Sequence, residues 1–193
     1  MQELQAFLAP KDAAQQIEAV PGSGSNVPIW ILGSSLFGAQ LAAMLGLPYG
    51  FASHFAPQAL YQALEVYRGN FKPSAQLDKP YAMVGVNVIA ADTDEEARYL
   101  ATSQQMSFTD LFRGTRGLMQ PPIEDIETYW SPPEKAQAGQ MLDCSVIGSH
   151  DTVQSGLRNL IEKTEADELM IVSDIFDTTK RQRSIEITAQ AMA

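Results

Sequence analysis

Two hydroxyls and two glycines fall close together at Gly33-Ser34-Ser35 and Gly38. They stand where a short apolar run, Ile29-Trp30-Ile31-Leu32, gives way to a helical pattern. The chemistry available to such a turn is anion binding. A helix N-terminus leaves backbone N–H groups unpaired and carries a partial positive charge, and both suit a phosphate. Ser34 and Ser35 add two donors without bulk, and Gly33 and Gly38 let the backbone approach a ligand. The same serines would equally serve as an ordinary helix cap. The turn alone leaves both readings open.

The elements that must position this turn are legible around it. Pro28 and Gly33 bound the apolar run, which reads as a strand buried on both faces, as in a parallel sheet. A helix is expected from about Leu36 to Leu45, with Leu41, Met44 and Leu45 on one side. Gly46 would end it as a left-handed cap, and Pro48 prevents its resumption. A second strand, Tyr49 to Phe55, carries Ser53 and His54 at its C-terminal end. Pro57 opens another helix, whose apolar face is Leu60, Tyr61, Leu64 and Tyr67.

Further on, Tyr81 to Ala91 is a β-branched strand, and Asp92-Thr93-Asp94-Glu95-Glu96 carries helix-start chemistry. Four acids in five residues also suggest a metal, but the capping pattern accounts for them. Residues 106–144 are the least regular part. Arg113 and Arg116 there could meet a phosphate, although in so acidic a chain they read as charge balance facing solvent. Ser145 to Ser149 leads into a helix, Asp151 to Lys163, with Asp151 or Ser149 as cap and Val153, Leu157, Leu160 and Ile161 as its buried stripe. Glu168 to Val172 is the last of four expected strands and ends at Ser173-Asp174. The basic residues from Lys180 to Arg183 open the final helix and are expected to pair with acids of a neighbouring helix.

Four of these stretches, in order, resemble the bacterial-luciferase-like flavin monooxygenases: ILGSSLFGAQLAAMLGLPY, SHFAPQALYQALEVYRGNF, VNVIAADTDEEARYLA and ADELMIVSDIFDTTKRQRSIEIT. The resemblance implies an α/β fold of parallel (β/α) units, forming the C-terminal half of a TIM-type (β/α)8 barrel. It implies reduced FMN supplied by a partner reductase, O2 as co-substrate and a small organic substrate. The flavin phosphate would lie on Gly33, Ser34, Ser35 and Gly38. Strand C-termini face the active site in such barrels, so Ser53 and His54 would line the mouth, although His54 also reads as a structural or loop histidine. The family's substrate-proximal histidine has no counterpart here, so no catalytic residue is assigned. Residues 1–26 are expected as an arm and loop that fray or pack loosely. Residues 27–193 are expected as the partial barrel, with a mobile lid over the site at about 106–144. A (β/α)8 barrel takes roughly 250 residues, so 193 suggest a truncated reading frame or an internal start. A half-barrel leaves its edge strands and apolar interior open. A homo-oligomer, or a separate N-terminal half, is expected to cover them. The same opening leaves a second reading, a flavin-phosphate-binding or interaction fragment with no turnover of its own.

Composition narrows the partners. The net charge of −10 argues against nucleic acid and against anionic membrane surfaces. Cys144 is the only cysteine, so neither an intrachain disulfide nor a thiolate metal cluster is expected. No apolar run reaches the length of a membrane span, and the N-terminus carries no charged-then-apolar leader pattern. The cytoplasm is the expected compartment.

Overall fold

The computed structural model describes residues 1–115 and 117–193. Arg116, one of the two arginines weighed for phosphate, lies outside the described residues. The chain forms strands β1 (Ile31–Gly33), β2 (Tyr49–Phe51), β3 (Ala82–Ala90), β4 (Val146–Gly148) and β5 (Glu168–Val172). Between and around them run helices α1 (Gln2–Leu8), α2 (Leu36–Leu45), α3 (Leu60–Gly69), α4 (Asp94–Arg113), α5 (Pro132–Met141), α6 (His150–Thr164) and α7 (Thr178–Ala191). All pairings are parallel, in the order β1-β2-β3-β4, with β5 also pairing with β3.

Strand periodicity divides the sheet into two unlike faces. Ile31, Tyr49, Phe51, Val84, Val86, Val88 and Ala90 point to the helices and are buried. The other face carries Leu32, Gly50, Met83 and Gly85, in register with Glu168 and Met170 of β5. Leu32 is 71% and Met170 52% exposed. The expectation that the first strand is buried on both faces is therefore corrected. Only its helix side is covered, and the concave side is open.

Close packing decides which residues of α2 are buried. Gly38, Ala39, Ala42 and Ala43 face the sheet, because small side chains let the helix sit down on it. Leu41 and Leu45 pack at the margin, whereas Met44, expected inside, is 61% exposed beside Phe37 at 72%. Gly46 ends the helix in the left-handed region at φ 61°, and a Cβ there would collide with Ser74. Tyr61, expected on the buried face of α3, projects outward, and Ala63 takes its place beside Leu60, Leu64 and Tyr67. A 3₁₀ turn, Pro57–Ala59, precedes α3.

Three helix starts differ in how they are capped. Thr93 caps α4 by accepting from the Glu96 N–H at 3.1 Å. Asp177 caps α7 through the Lys180 N–H at 2.8 Å. Ser149 holds the N-cap position of α6 but makes no side-chain cap bond, and Asp151 is not the cap either. Instead Asp94, arriving from α4, accepts from the Ser149 N–H at 2.6 Å and the Thr152 hydroxyl at 2.9 Å. These bonds hold its carboxyl below the usual carboxylate range. Of the basic residues of α7, Lys180 pairs with Glu96 of α4 as expected, and Arg183 pairs at 2.8 Å with Asp92, which lies just before that helix. The fifth strand, β4, was not expected, since four strands were read from the sequence. It is three residues long and follows the unexpected α5.

Candidate functional site

The C-terminal ends of β1, β2, β3 and β5 meet around a cavity of about 430 Å³. β2 ends at Phe51, four residues before the expected Phe55, so Ser53 and His54 sit in the turn that follows. Two bonds hold that turn. The Ala52 N–H donates to the Gly33 carbonyl at 2.9 Å, and the buried Ser53 hydroxyl donates to the carbonyl of Gly85 in β3. Ser53 is thus a fastener beneath the mouth and is not among the lining residues, whereas His54 lines the cavity. The His54 ring lies over Gly85, where any Cβ would overlap it.

A polar chain crosses the mouth from there. Asn87, on the concave face of β3, donates to the His54 carbonyl at 2.7 Å. Gln104 of α4 donates to Asn87 Oδ1 at 3.1 Å and to Asp174 Oδ2 at 3.4 Å. Asn87 and Gln104 are both buried. Sequence reading missed Asn87 and Gln104 as site residues; it ended the last strand at Ser173-Asp174 on the site side but gave Asp174 no role. Asn87 carried a signal: it is the one amide in an otherwise apolar strand. Gln104 carried none of its own, lying in a polar stretch of a long helix.

Apart from Ser107, Asp110 and Gln120, the rest of the wall is apolar, chiefly from Phe108 and Leu111 of α4 and from Leu118 and Met119. The segment beyond α4 is fastened at three points. The Ile123 N–H donates to Thr102 Oγ1 at 2.9 Å, and the Tyr129 hydroxyl donates to Asp110 at 2.7 Å. Arg113 donates to Glu134 at 2.7 and 3.0 Å, and to the Tyr129 carbonyl at 2.8 Å. That guanidinium, with the Ser131 backbone and hydroxyl, pulls the Glu134 carboxyl down to about 2. Arg113 is therefore a strut between α4 and α5 and reaches no open anion site.

The Gly33-Ser34-Ser35 turn lies next to this mouth but does not line it. Ser35 occupies the N-cap position of α2 with extended backbone, yet its side chain makes no cap bond. Among the described residues neither Ser34 nor Ser35 makes a side-chain hydrogen bond, and no acid stands in the first turn of α2. The hydroxyls and N–H groups are thus left for another acceptor. Gly33 and Gly38 serve internal packing. A Cβ built on Gly38 would lie 3.4 Å from the Tyr49 ring, and one on Gly33 would lie 3.6 Å from the Gly38 backbone. The Tyr49 hydroxyl donates to the Ser35 carbonyl at 3.2 Å.

Comparison with known proteins places this arrangement. The family model described as luciferase-like monooxygenase matches residues 6–168. A luciferase-like monooxygenase of Escherichia coli K12 is 48% identical over 185 residues, which are 96% of this chain and 55% of that protein. The crystal structure of apo-MsnO8 superposes with a TM-score of 0.86 at 29% identity, covering 99% of this chain and 58% of that one. The oxygenating constituent of 3,6-diketocamphane monooxygenase from Pseudomonas putida, solved with FMN, shares the fold at a TM-score of 0.58 and 20% identity. It is covered to 54%, and this chain to 95%. The chain spans about half the length of the curated relatives it matches. Its open arc of parallel (β/α) units is the partial barrel that the sequence led us to expect. The chain belongs to the luciferase-like monooxygenases.

Proposed function

We propose that this chain is the phosphate-binding and substrate-lining part of an FMN-dependent monooxygenase. The observation that carries the reading is the start of α2, where Ser35 stands at the N-cap and does not cap. Two free hydroxyls and the first N–H groups of α2 suit the dianionic phosphate of a flavin mononucleotide. The FMN bound by the diketocamphane enzyme of the same fold agrees with this choice. FMN bound there and reduced by a partner reductase would supply the two electrons with which one oxygen atom of O2 passes to a small organic substrate and the other leaves as water.

This chain's own residues have separable tasks. Ser34 and Ser35 anchor the phosphate. His54, Asn87, Gln104 and Asp174 present polar groups at the mouth. Phe108, Leu111 and residues 117–120 keep water from it, acting as the lid. The compartment we assign is the cytoplasm. The open concave face, with Leu32 and Met170, and the exposed Phe37 and Met44 of α2 are to be covered by a complementary (β/α) half or by a second copy of this chain.

The same open face favours a second reading, in which the chain binds the flavin phosphate without turnover of its own. FMN titration followed by flavin fluorescence tests both. Saturable binding that Ser34→Ala with Ser35→Ala weakens by at least about tenfold is expected. A folded chain that ignores FMN would sink both readings. Oxygen consumption with a reductase and reduced flavin then separates them.

A further inference from the structure

We propose that the mouth cavity receives an organic ammonium group with Asp174 as its counter-ion, so that the substrate is a small apolar amine. The proposal rests on the reading of this cavity as the substrate site of an oxidoreductase. It is carried by the way the polar chain ends. Asn87 commits its NH2 to the His54 carbonyl, so its oxygen must face Gln104. That in turn commits the Gln104 NH2 to Asn87 and to Asp174. Gln104 is 1% exposed, and its Oε1 is left with no hydrogen-bond partner. An orphaned buried acceptor costs on the order of 1–3 kcal/mol and marks a place where a donor is missing.

Asp174, half-buried at the same cavity, is only weakly partnered within the chain. Its neighbour at the cavity wall, Asp110, is compensated by the Tyr129 hydroxyl at 2.7 Å and by Arg113 at 3.7 Å. Asp174 receives only the long 3.4 Å bond from Gln104, and among the described residues it has no ion pair. The Asp174 carboxylate thus stands where Leu32, Phe55, Phe108, Leu118 and Met119 provide apolar wall, and the orphaned Gln104 oxygen is buried within the same lining. An anionic substrate would be repelled. A ketone or aldehyde brings only another acceptor. An ammonium brings charge and three donors, and its hydrocarbon body fits the wall.

The test compares three probes of similar size by isothermal titration at neutral pH: 2-phenylethylamine, 2-phenylethanol and 3-phenylpropanoate. The amine is expected to bind at least about tenfold tighter than either other probe. The near-isosteric Asp174→Asn should remove that preference. Equal binding of the three probes by the wild type, no binding of the amine, or a preference that survives in Asp174→Asn would overturn the proposal. The wild-type comparison decides even if the variant misfolds. FMN titration of the same sample separates the two readings. FMN binding without amine preference sinks this proposal alone, and amine preference without FMN binding sinks the flavin reading alone.

Discussion

The hydroxyl of Tyr49, on strand β2, donates to the carbonyl of Ser35 at 3.2 Å and so braces the serine turn from beneath. The ring is fully buried against Gly33 and Gly38, and burial raises the hydroxyl's pKa to about 12. Tyr49→Phe should keep the fold and cost about 1 kcal/mol. It should weaken FMN binding several-fold, because the turn loses its brace. Fluorescence titration checks the affinity and urea denaturation the stability. Unchanged FMN affinity would show that the turn holds its shape alone.

Alkaline stability follows from the same burial. The folded pKa lies above that of a free tyrosine, so the protonated form favours folding. The contribution is complete below about pH 10 and is lost as pH rises toward about 12. Tyr67 is shifted in the same direction, by burial. Chemical denaturation across this window should show falling stability, with a shallower fall in Tyr49→Phe. An identical slope in wild type and variant would rule Tyr49 out as the titrating group.

Tyr67 closes a different junction. Its hydroxyl shares its one proton between the carbonyls of Leu47 at 2.9 Å and Tyr81 at 3.2 Å, and accepts from the Tyr81 N–H at 3.1 Å. It therefore ties α3 to the entrances of β2 and β3. Tyr67→Phe strands the Leu47 carbonyl and the Tyr81 N–H, while the Tyr81 carbonyl keeps its bond from the Tyr49 N–H at 3.0 Å, so a loss of about 2–3 kcal/mol is expected. This exceeds the cost of Tyr49→Phe, and FMN affinity should not change beyond the stability effect. Denaturant midpoints of the two variants provide the comparison.

Asp94 and Gly148 form a third testable pair. A Cβ on Gly148 would meet Thr152 and lie 2.7 Å from the Asp94 carboxylate. Gly148→Ala should push this carboxylate off the start of α6 and lower the melting temperature. Asp94→Ala should do the same by leaving α6 uncapped. The Ser149 bonds, and those of Thr152, hold the Asp94 pKa low. Its stabilisation is therefore complete above the ordinary carboxylate range and is lost as pH falls below about 4. Melting curves of wild type and Asp94→Ala should converge in acid. A constant gap down to pH 2 would contradict the assignment.

Much of this fold was legible because its signals are local. Gly46 as a left-handed cap, Thr93 before its acids, and the Val153-Leu157-Leu160 stripe each need only a few neighbouring residues. The losses came where distance in the chain matters. Alanines on α2 win burial over Met44 because helix and sheet are close, which hydrophobicity alone does not report. Strand β4 is only three residues, too short for any periodicity. Asp94 caps a helix that begins 56 residues later, and no local pattern announces that. At the candidate site the serine turn and His54 stood out by residue type. Gln104 and Asp174 acquire meaning only when α4 and β5 are folded against β3.

The exposed face of α2 yields a prediction about association. Phe37 and Met44 are one helical face of large apolar side chains, 72% and 61% exposed. Phe37→Glu with Met44→Lys should leave the melting temperature within a few degrees and shift the sedimentation profile toward monomer. A wild-type chain that already sediments as monomer at high concentration would point instead to a complementary half as the natural cover.

The clamps on the segment after α4 have a consequence for how the protein can change over generations. Thr102, Asp110, Arg113 and Glu134 hold that segment from its flanks, while residues 117–120 between the clamps form cavity wall without carrying the sheet. The wall can be rewritten, lengthened or recoloured chemically with little penalty to folding, while the polar floor at Asn87 and Gln104 stays fixed in the core. Such a division of labour leaves the shape and polarity of the wall adjustable, while the floor is inherited together with the core.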